Sequence, residues 1–158
     1  MDNYGYSCIW RLTLKEIPQM PNLDNSAAFP RKRSASDTEP ETIAAGFRGV
    51  FRIFDAWGVS PEQSIMLLGR PSKSTYYKWK RGEIGTVPHD TVRRVSYLLG
   101  IYKALQILYR DPALADAWIK RGNAAFGGQS ALDRMMGGDV ADLAAVRTYL
   151  DAVRGGWG

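Results

Sequence analysis

The sequence predicts an all-α protein, a helix-turn-helix bundle followed by a small helical domain. Three observations carry that prediction. From Thr42 onward apolar residues recur at three- and four-residue spacing, the period of one helix face. Ser, Asp, Pro and Gly stand where helices start and stop, as in Gly58 with Ser60-Pro61, or Gly137-Gly138 with Asp139. Basic residues concentrate in one stretch and not along the whole chain.

Residues 1–41 read as a flexible N-terminal arm. SCIWRLTL at 7–14 has strand-like alternation through Ile9, Leu12 and Leu14, but Pro18, Pro21, Pro30 and Pro40 and the polar run RKRSASDTEPE argue against a packed unit. Arg31-Lys32-Arg33 reads as solvated linker in preference to a phosphate contact, and a start codon placed too early explains the arm equally well.

Ile43, Phe47, Val50, Phe51, Phe54 and Trp57 form the apolar stripe of a first helix that Gly58 stops. Ser60-Pro61-Glu62 supplies an N-cap, a proline at the first helical position and an acidic first turn for a second helix through Ile65, Leu67 and Leu68. A third runs from Ser72 to a stop at Gly82. Pro88-His89-Asp90-Thr91 opens a long fourth, with Val92, Val95, Leu98, Leu99, Tyr102, Leu105, Leu108 and Tyr109 inward. Asp111-Pro112 restarts the chain for a short fifth helix, with Leu114, Ala117 and Trp118 as its apolar side. Residues 130–136 make a sixth, and Asp139 caps a last helix striped by Val140, Leu143, Val146, Leu150 and Val153.

At 158 residues, 45% hydrophobic and 23% charged, the chain can bury a real core. It has no run of about 18 apolar residues and no basic opening followed by an apolar stretch, so a cytoplasmic protein with no membrane partner is expected. Cys8 and His89 are the only residues of their kinds. That excludes a disulfide within the chain, a cysteine zinc site, a multi-histidine metal centre and serine-histidine chemistry with a spare base. No catalytic residue, metal or cofactor is expected, and an enzyme is disfavoured.

The net charge is +5, and between Arg70 and Arg110 nine Lys and Arg stand against Glu83 and Asp90. Within that basic stretch, SPEQSIMLLGRPSKSTYYKWKRG (60–82) is two short helices joined by a glycine turn. A helix-turn-helix lays the second such helix in the major groove, where short polar side chains read base edges and cations meet phosphates. With Tyr76 and Trp79 inward at i and i+3, Lys73, Ser74, Tyr77, Lys78 and Arg81 share the outer face and are the expected DNA contacts. Lys80 is placed on a backbone phosphate, with Arg93 and Arg94 as further phosphate candidates. Counted from Gly69, Trp79 falls one residue later than the usual inward position, so the turn GRPS is longer by one.

From Asp111 onward the basic surplus vanishes. Gly127-Gly128 and Gly137-Gly138 follow no strand and precede no Lys-Ser/Thr pair, so they are helix stops and not phosphate loops. Ser130 and Asp133 are spaced as a capping box. The segment NAAFGGQSALDRMMGGDVADLAAVRTYLDAVRGGWG resembles the toxin-binding domain of the Xre/MbcA/ParS-like antitoxins. Asn123, Phe126, Gly127, Gly128, Leu132, Asp133, Gly138, Asp139, Val146, Arg147, Leu150, Gly155 and Trp157 match that pattern, while Ala131 stands where family sequences often carry proline.

The resemblance covers roughly residues 42–158. It implies the antitoxin of a type II toxin–antitoxin pair: a helix-turn-helix and dimerisation region at 42–110 that represses its own operon, and a toxin-binding domain at 111–158. The implied partners are a RES-domain toxin that consumes NAD, covered at its active site, double-stranded operator DNA, and a second copy of the chain within a larger complex. With Arg147, Tyr149, Asp151 and Arg154 placed opposite the Leu/Val stripe, these four and Trp157 are the expected toxin contacts. Trp157 has a second possible role as a core plug. The rival reading is a helix-turn-helix regulator whose C-terminal half only oligomerises or binds a ligand.

Overall fold

The computed structural model describes residues 35–155, with side chains from residue 39 onward. The strand-like alternation at 7–14, the basic triplet at 31–33 and Trp157 lie outside the described residues. Within them the chain forms α1 (Ala35–Trp57), α2 (Pro61–Leu67), α3 (Lys73–Lys80), α4 (His89–Leu108), α5 (Pro112–Trp118), α6 (Ala131–Met135) and α7 (Val140–Gly155), with a 3-10 turn at Ala124–Phe126. No strand occurs among the described residues; one antiparallel bridge, Gly122 to Ser130, closes the loop around the 3-10 turn.

α1 starts seven residues before Thr42, which corrects the C-terminal limit of the arm. Pro40 lies inside the helix, in its second turn, and forfeits one backbone hydrogen bond, while residues 39–42 around it are exposed. Glu39 and Glu41 also supply negative charge near the helix N-terminus, where the backbone dipole favours it. Further along, Phe47, Val50, Phe54 and Trp57 are buried as expected, together with Ile53.

The start and stop signals work through identifiable hydrogen bonds. Ser60 and Gln63 form a reciprocal capping box on α2, and Ser72 Oγ accepts from the Thr75 N–H to open α3. Ser130 and Asp133 do the same for α6, so Ala131 starts that helix without a proline. Asp139 Oδ1 accepts from the Ala141 N–H at 2.8 Å at the start of α7. The lengthened turn between α2 and α3 is built from two consecutive left-handed residues, Gly69 (φ 91°) and Arg70 (φ 59°). Arg70 is the one non-glycine among the described residues with positive φ, a conformation that strains an L side chain.

α4 is the spine. Its Leu98, Ile101, Ala104 and Leu105 are fully buried, and the same core cluster takes in Phe47 and Val50 of α1, Tyr76 and Trp79 of α3, and Leu143, Val146 and Leu150 of α7. The helix-turn-helix and the C-terminal helices therefore share one hydrophobic core. In α5 the apolar side differs from expectation: Ala115 and the following Ile119 are buried at i and i+4, while Leu114 is 45% exposed. A helix of seven residues has room for one such inward pair, and Leu114 falls off it.

Candidate nucleic-acid interface and C-terminal face

α3 is fixed from behind by rings. Phe47 of α1 meets Trp79 with ring centroids 4.9 Å apart, and Phe51 meets Tyr76 edge-on at 5.6 Å. Each such pair contributes about 0.5–1.5 kcal/mol beyond the area it buries. With Tyr76 and Trp79 turned inward, Lys73, Ser74, Tyr77, Lys78, Lys80 and Arg81 are all exposed, the six positions the sequence expected. The Tyr77 ring leans edge-on against Tyr76 and stays 45% exposed.

Electrostatically this face is open. Among the described residues Lys73, Lys78 and Lys80 have no carboxylate partner. Arg81 Nε donates to Glu83 Oε1 at 2.9 Å, and both side chains are more than half exposed. That hydrogen bond, and then the guanidinium charge, hold the Glu83 carboxyl below its ordinary value. So exposed a pair is screened by solvent and contributes little, so a phosphate can displace Glu83 at little cost.

Two cations that the sequence reading did not single out extend this surface. Arg48 and Arg52, one turn apart on α1, line a groove of about 180 Å³ with Lys80, over a floor that includes Phe47, Phe51, Trp79 and Ile84. Their i, i+4 spacing on the polar side of α1 was the available signal. Arg93 is exposed near the start of α4. Arg94 is not: it is 5% exposed, donating to Asp90 and to the Gly138 carbonyl, which removes it from the phosphate contacts.

The C-terminal candidates divide. Arg147 lies on the flank of α7 that meets α4, where its guanidinium occupies the space a Cβ on Gly100 would need. Its Nε donates to Asp151 Oδ2 at 2.7 Å, and Arg154 reaches the other oxygen of Asp151 at 3.3 Å. Tyr149 is on the opposite flank, stacked on Trp118 at 6.2 Å and edge-on to Phe126 at 5.2 Å. The four residues therefore do not share the face opposite the Leu/Val stripe. That outermost face carries Ala141, Thr148 and Ala152, because a 100° step per residue puts 147, 151 and 154 on one shoulder of the stripe and 149 on the other.

Tyr149 instead borders an open groove of about 640 Å³ lined by Ala125, Phe126, Gln129, Arg134, Ala145 and Thr148. Asn123 shapes its rim: the side-chain oxygen accepts from the Ala125 N–H, and left-handed Gly127 and Gly128 turn the chain toward α6. Arg134, 46% exposed, pairs with Asp142 at 3.2 Å on the other side. The periodicity of α7 alone does not reveal this groove, because half its wall comes from the loop before α6.

A short helix seated on the core by Tyr76 and Trp79, with its basic side turned to solvent after a tight turn, defines a helix-turn-helix protein, joined here without a break in the core to a second, mainly neutral helical part. Residues 42–100 match the antitoxin Xre-like helix-turn-helix domain, and residues 104–156 match the antitoxin Xre/MbcA/ParS C-terminal toxin-binding domain. The chain belongs to this antitoxin family. A curated relative, the uncharacterized protein y4oB of Sinorhizobium fredii (strain NBRC 101917 / NGR234), is 46% identical over 127 residues, which is 80% of this chain and 98% of the relative. No solved structure matches. No described helix is long and apolar enough to cross a membrane.

Proposed function

We propose that this antitoxin neutralises a RES-type, NAD-consuming toxin of a type II pair by covering its active site, and represses its own operon as a homodimer through α3. It acts in the cytoplasm and by binding alone, without catalysis. The observation that carries the reading is that one chain offers two separate and different faces. One is the cationic outer face of α3, flanked by Arg48 and Arg52; the other is the aromatic groove at Tyr149 and Phe126. They share no residue, so both partners can be held at once.

On the DNA side, cations without carboxylate partners suit phosphates, and Ser74 and Tyr77 suit base edges. Two copies of α3 related by a two-fold axis would read a palindromic operator. On the toxin side, an aromatic floor with Gln129, Thr148 and Arg134 around it has the composition of an interface centre, where aromatic and Arg side chains are enriched. The RES type is what the family resemblance implies.

The test is co-expression with the product of the adjacent reading frame. A stable complex, cell growth restored and cellular NAD preserved are expected, with the purified chain retarding a fragment of its own promoter. An adjacent product that neither co-purifies nor depletes NAD overturns the toxin reading, and a promoter fragment left unbound overturns self-repression.

A further inference from the structure

Arg94 is the one buried cation among the described residues, and its position serves no site so far described. It stands on α4 with its side chain 6% exposed. Nε donates to Asp90 Oδ2 at 2.6 Å, Nη2 donates to the carbonyl of Gly138 at 2.9 Å, and Nη1 has no partner. Burying a guanidinium is costly, and an apolar side chain of similar volume usually serves packing as well or better. What an apolar side chain cannot do is grip in two directions, and the planar fork of arginine does that with fixed geometry.

The Asp90 bond fixes the guanidinium on its own helix, and from there it meets both turns, the α6–α7 turn through the Nη2 bond and the α2–α3 turn by close contact. Gly69, in the turn that launches α3, lies over Arg94 so closely that a Cβ there would stand 3.1 Å from Nε. Gly138, in the turn that launches α7, is gripped through its carbonyl, and a Cβ on it would stand 3.2 Å from Arg70 Nη2. Both glycines are left-handed, with φ of 91° and 100°. Arg70, itself left-handed, is tied back to α2 through Met66 Sδ at 3.0 Å. The α2–α3 turn and the α6–α7 turn are thus two sides of one clasp with the Arg94 guanidinium in the middle.

We propose that Arg94 is a positioning residue that couples the two binding faces: a shift of the α6–α7 turn on toxin binding moves the Gly69–Arg70 turn, and with it the angle at which α3 meets DNA. The inference rests on the reading that α3 binds the operator and the C-terminal groove binds the toxin. By linkage, DNA must alter toxin affinity by the same factor.

The experiment measures affinity of the full chain for its promoter fragment with and without the purified product of the adjacent reading frame. The wild type is expected to show a toxin-dependent change in promoter affinity of about fivefold or more, the usual lower range of such couplings. Arg94→Met, which keeps volume and loses both donors, is expected to reduce that change to less than twofold while still binding each partner. If Arg94→Met does not fold, Arg94→Lys keeps the charge but cannot span both acceptors and is expected to give the same loss of coupling.

Thr91→Val is the control. It removes the buried bond from Thr91 Oγ1 to the Leu68 carbonyl, at the same junction but without touching Gly138, and is expected to lower stability and keep the coupling. Coupling retained in the Arg94 variant, or lost equally in Thr91→Val, overturns the inference. So does a wild type whose promoter affinity ignores the toxin while both partners bind. A wild type that binds neither partner overturns the proposed function itself, and the two failures are told apart by the binding of each partner alone.

Discussion

Helices α3 and α7 each carry a row of polar side chains beside an apolar stripe, yet they use them in opposite ways. On α3 the stripe is two aromatic residues, Tyr76 and Trp79, and the lysines beyond it stand in solvent; Lys73 and Lys78 act on Glu62 and Glu83 only at longer range, without a direct ion pair among the described residues. On α7 the cations at 147 and 154 share the carboxylate of Asp151, and Arg147 is pressed on the backbone of α4 at Gly100. A narrow stripe leaves a wide free face, whereas a helix packed on both shoulders spends its long side chains on its neighbours. Unpaired charge, more than charge itself, separates the solvent-facing row of α3 from the flank of α7.

The comparison can be broken most severely at Trp79. Trp79→Ala removes the ring between α3 and Phe47 and is expected to cost about 3–5 kcal/mol. Because the core is shared, promoter binding and toxin binding should fall together; denaturant unfolding measures the first effect and binding at lowered temperature the second. Tyr149→Ala comes next, with an expected loss of about 2 kcal/mol in toxin affinity, the range of an aromatic interface anchor. Promoter binding in the same variant should be unchanged by gel retardation.

Lys73→Ala with Lys78→Ala sharpens the other side. Each lost phosphate contact should reduce the slope of log affinity against log salt by about 0.9, with toxin binding intact. Arg147→Ala should be milder than its charge suggests. An i, i+4 pair of this exposure gives about 0.3–0.5 kcal/mol, and a fall in toxin affinity as large as that of Tyr149→Ala would make Arg147 a toxin contact, as the sequence expected.

The smallest effect is at Tyr109, whose phenol burial, and then the neighbouring Tyr149, push above the ordinary value of 10.0. A raised folded-state value means stability fully present below pH 10 and lost as pH rises through the raised value. Ultraviolet titration of Tyr109→Phe should lack one phenolate that ionises above the ordinary value, and stability should decline less steeply in that alkaline range.

The all-α class, the capped starts at Ser60, Ser72, Ser130 and Asp139, and the outer face of α3 were legible because each depends on local spacing. What was not legible depends on a neighbour. The helical period already sets Arg94, between Thr91 and Leu98, on the inner side of α4 and Arg93 on the outer; what the sequence does not show is the acceptor that meets it there, the Gly138 carbonyl 44 residues away. The split of Arg147 from Tyr149 follows from where α4 and α5 lie, and the groove at Phe126 from a loop that only the closed bridge at Gly122 and Ser130 brings against α7. The early start of α1 was hidden by Pro40, which reads as a breaker although it stands in the second turn of the helix.

The spine formed by α4 has a consequence for how long the two activities last. Leu98, Ile101 and Leu105 lie in the same core as Phe47 of the DNA-binding part and Leu143, Val146 and Leu150 of α7. A protease that cuts the chain after Gly122 would strip the cover from that spine and leave an N-terminal fragment with an open apolar face. Under the proposed function, such turnover removes both binding faces together, so that a single proteolytic event ends both activities at the same moment.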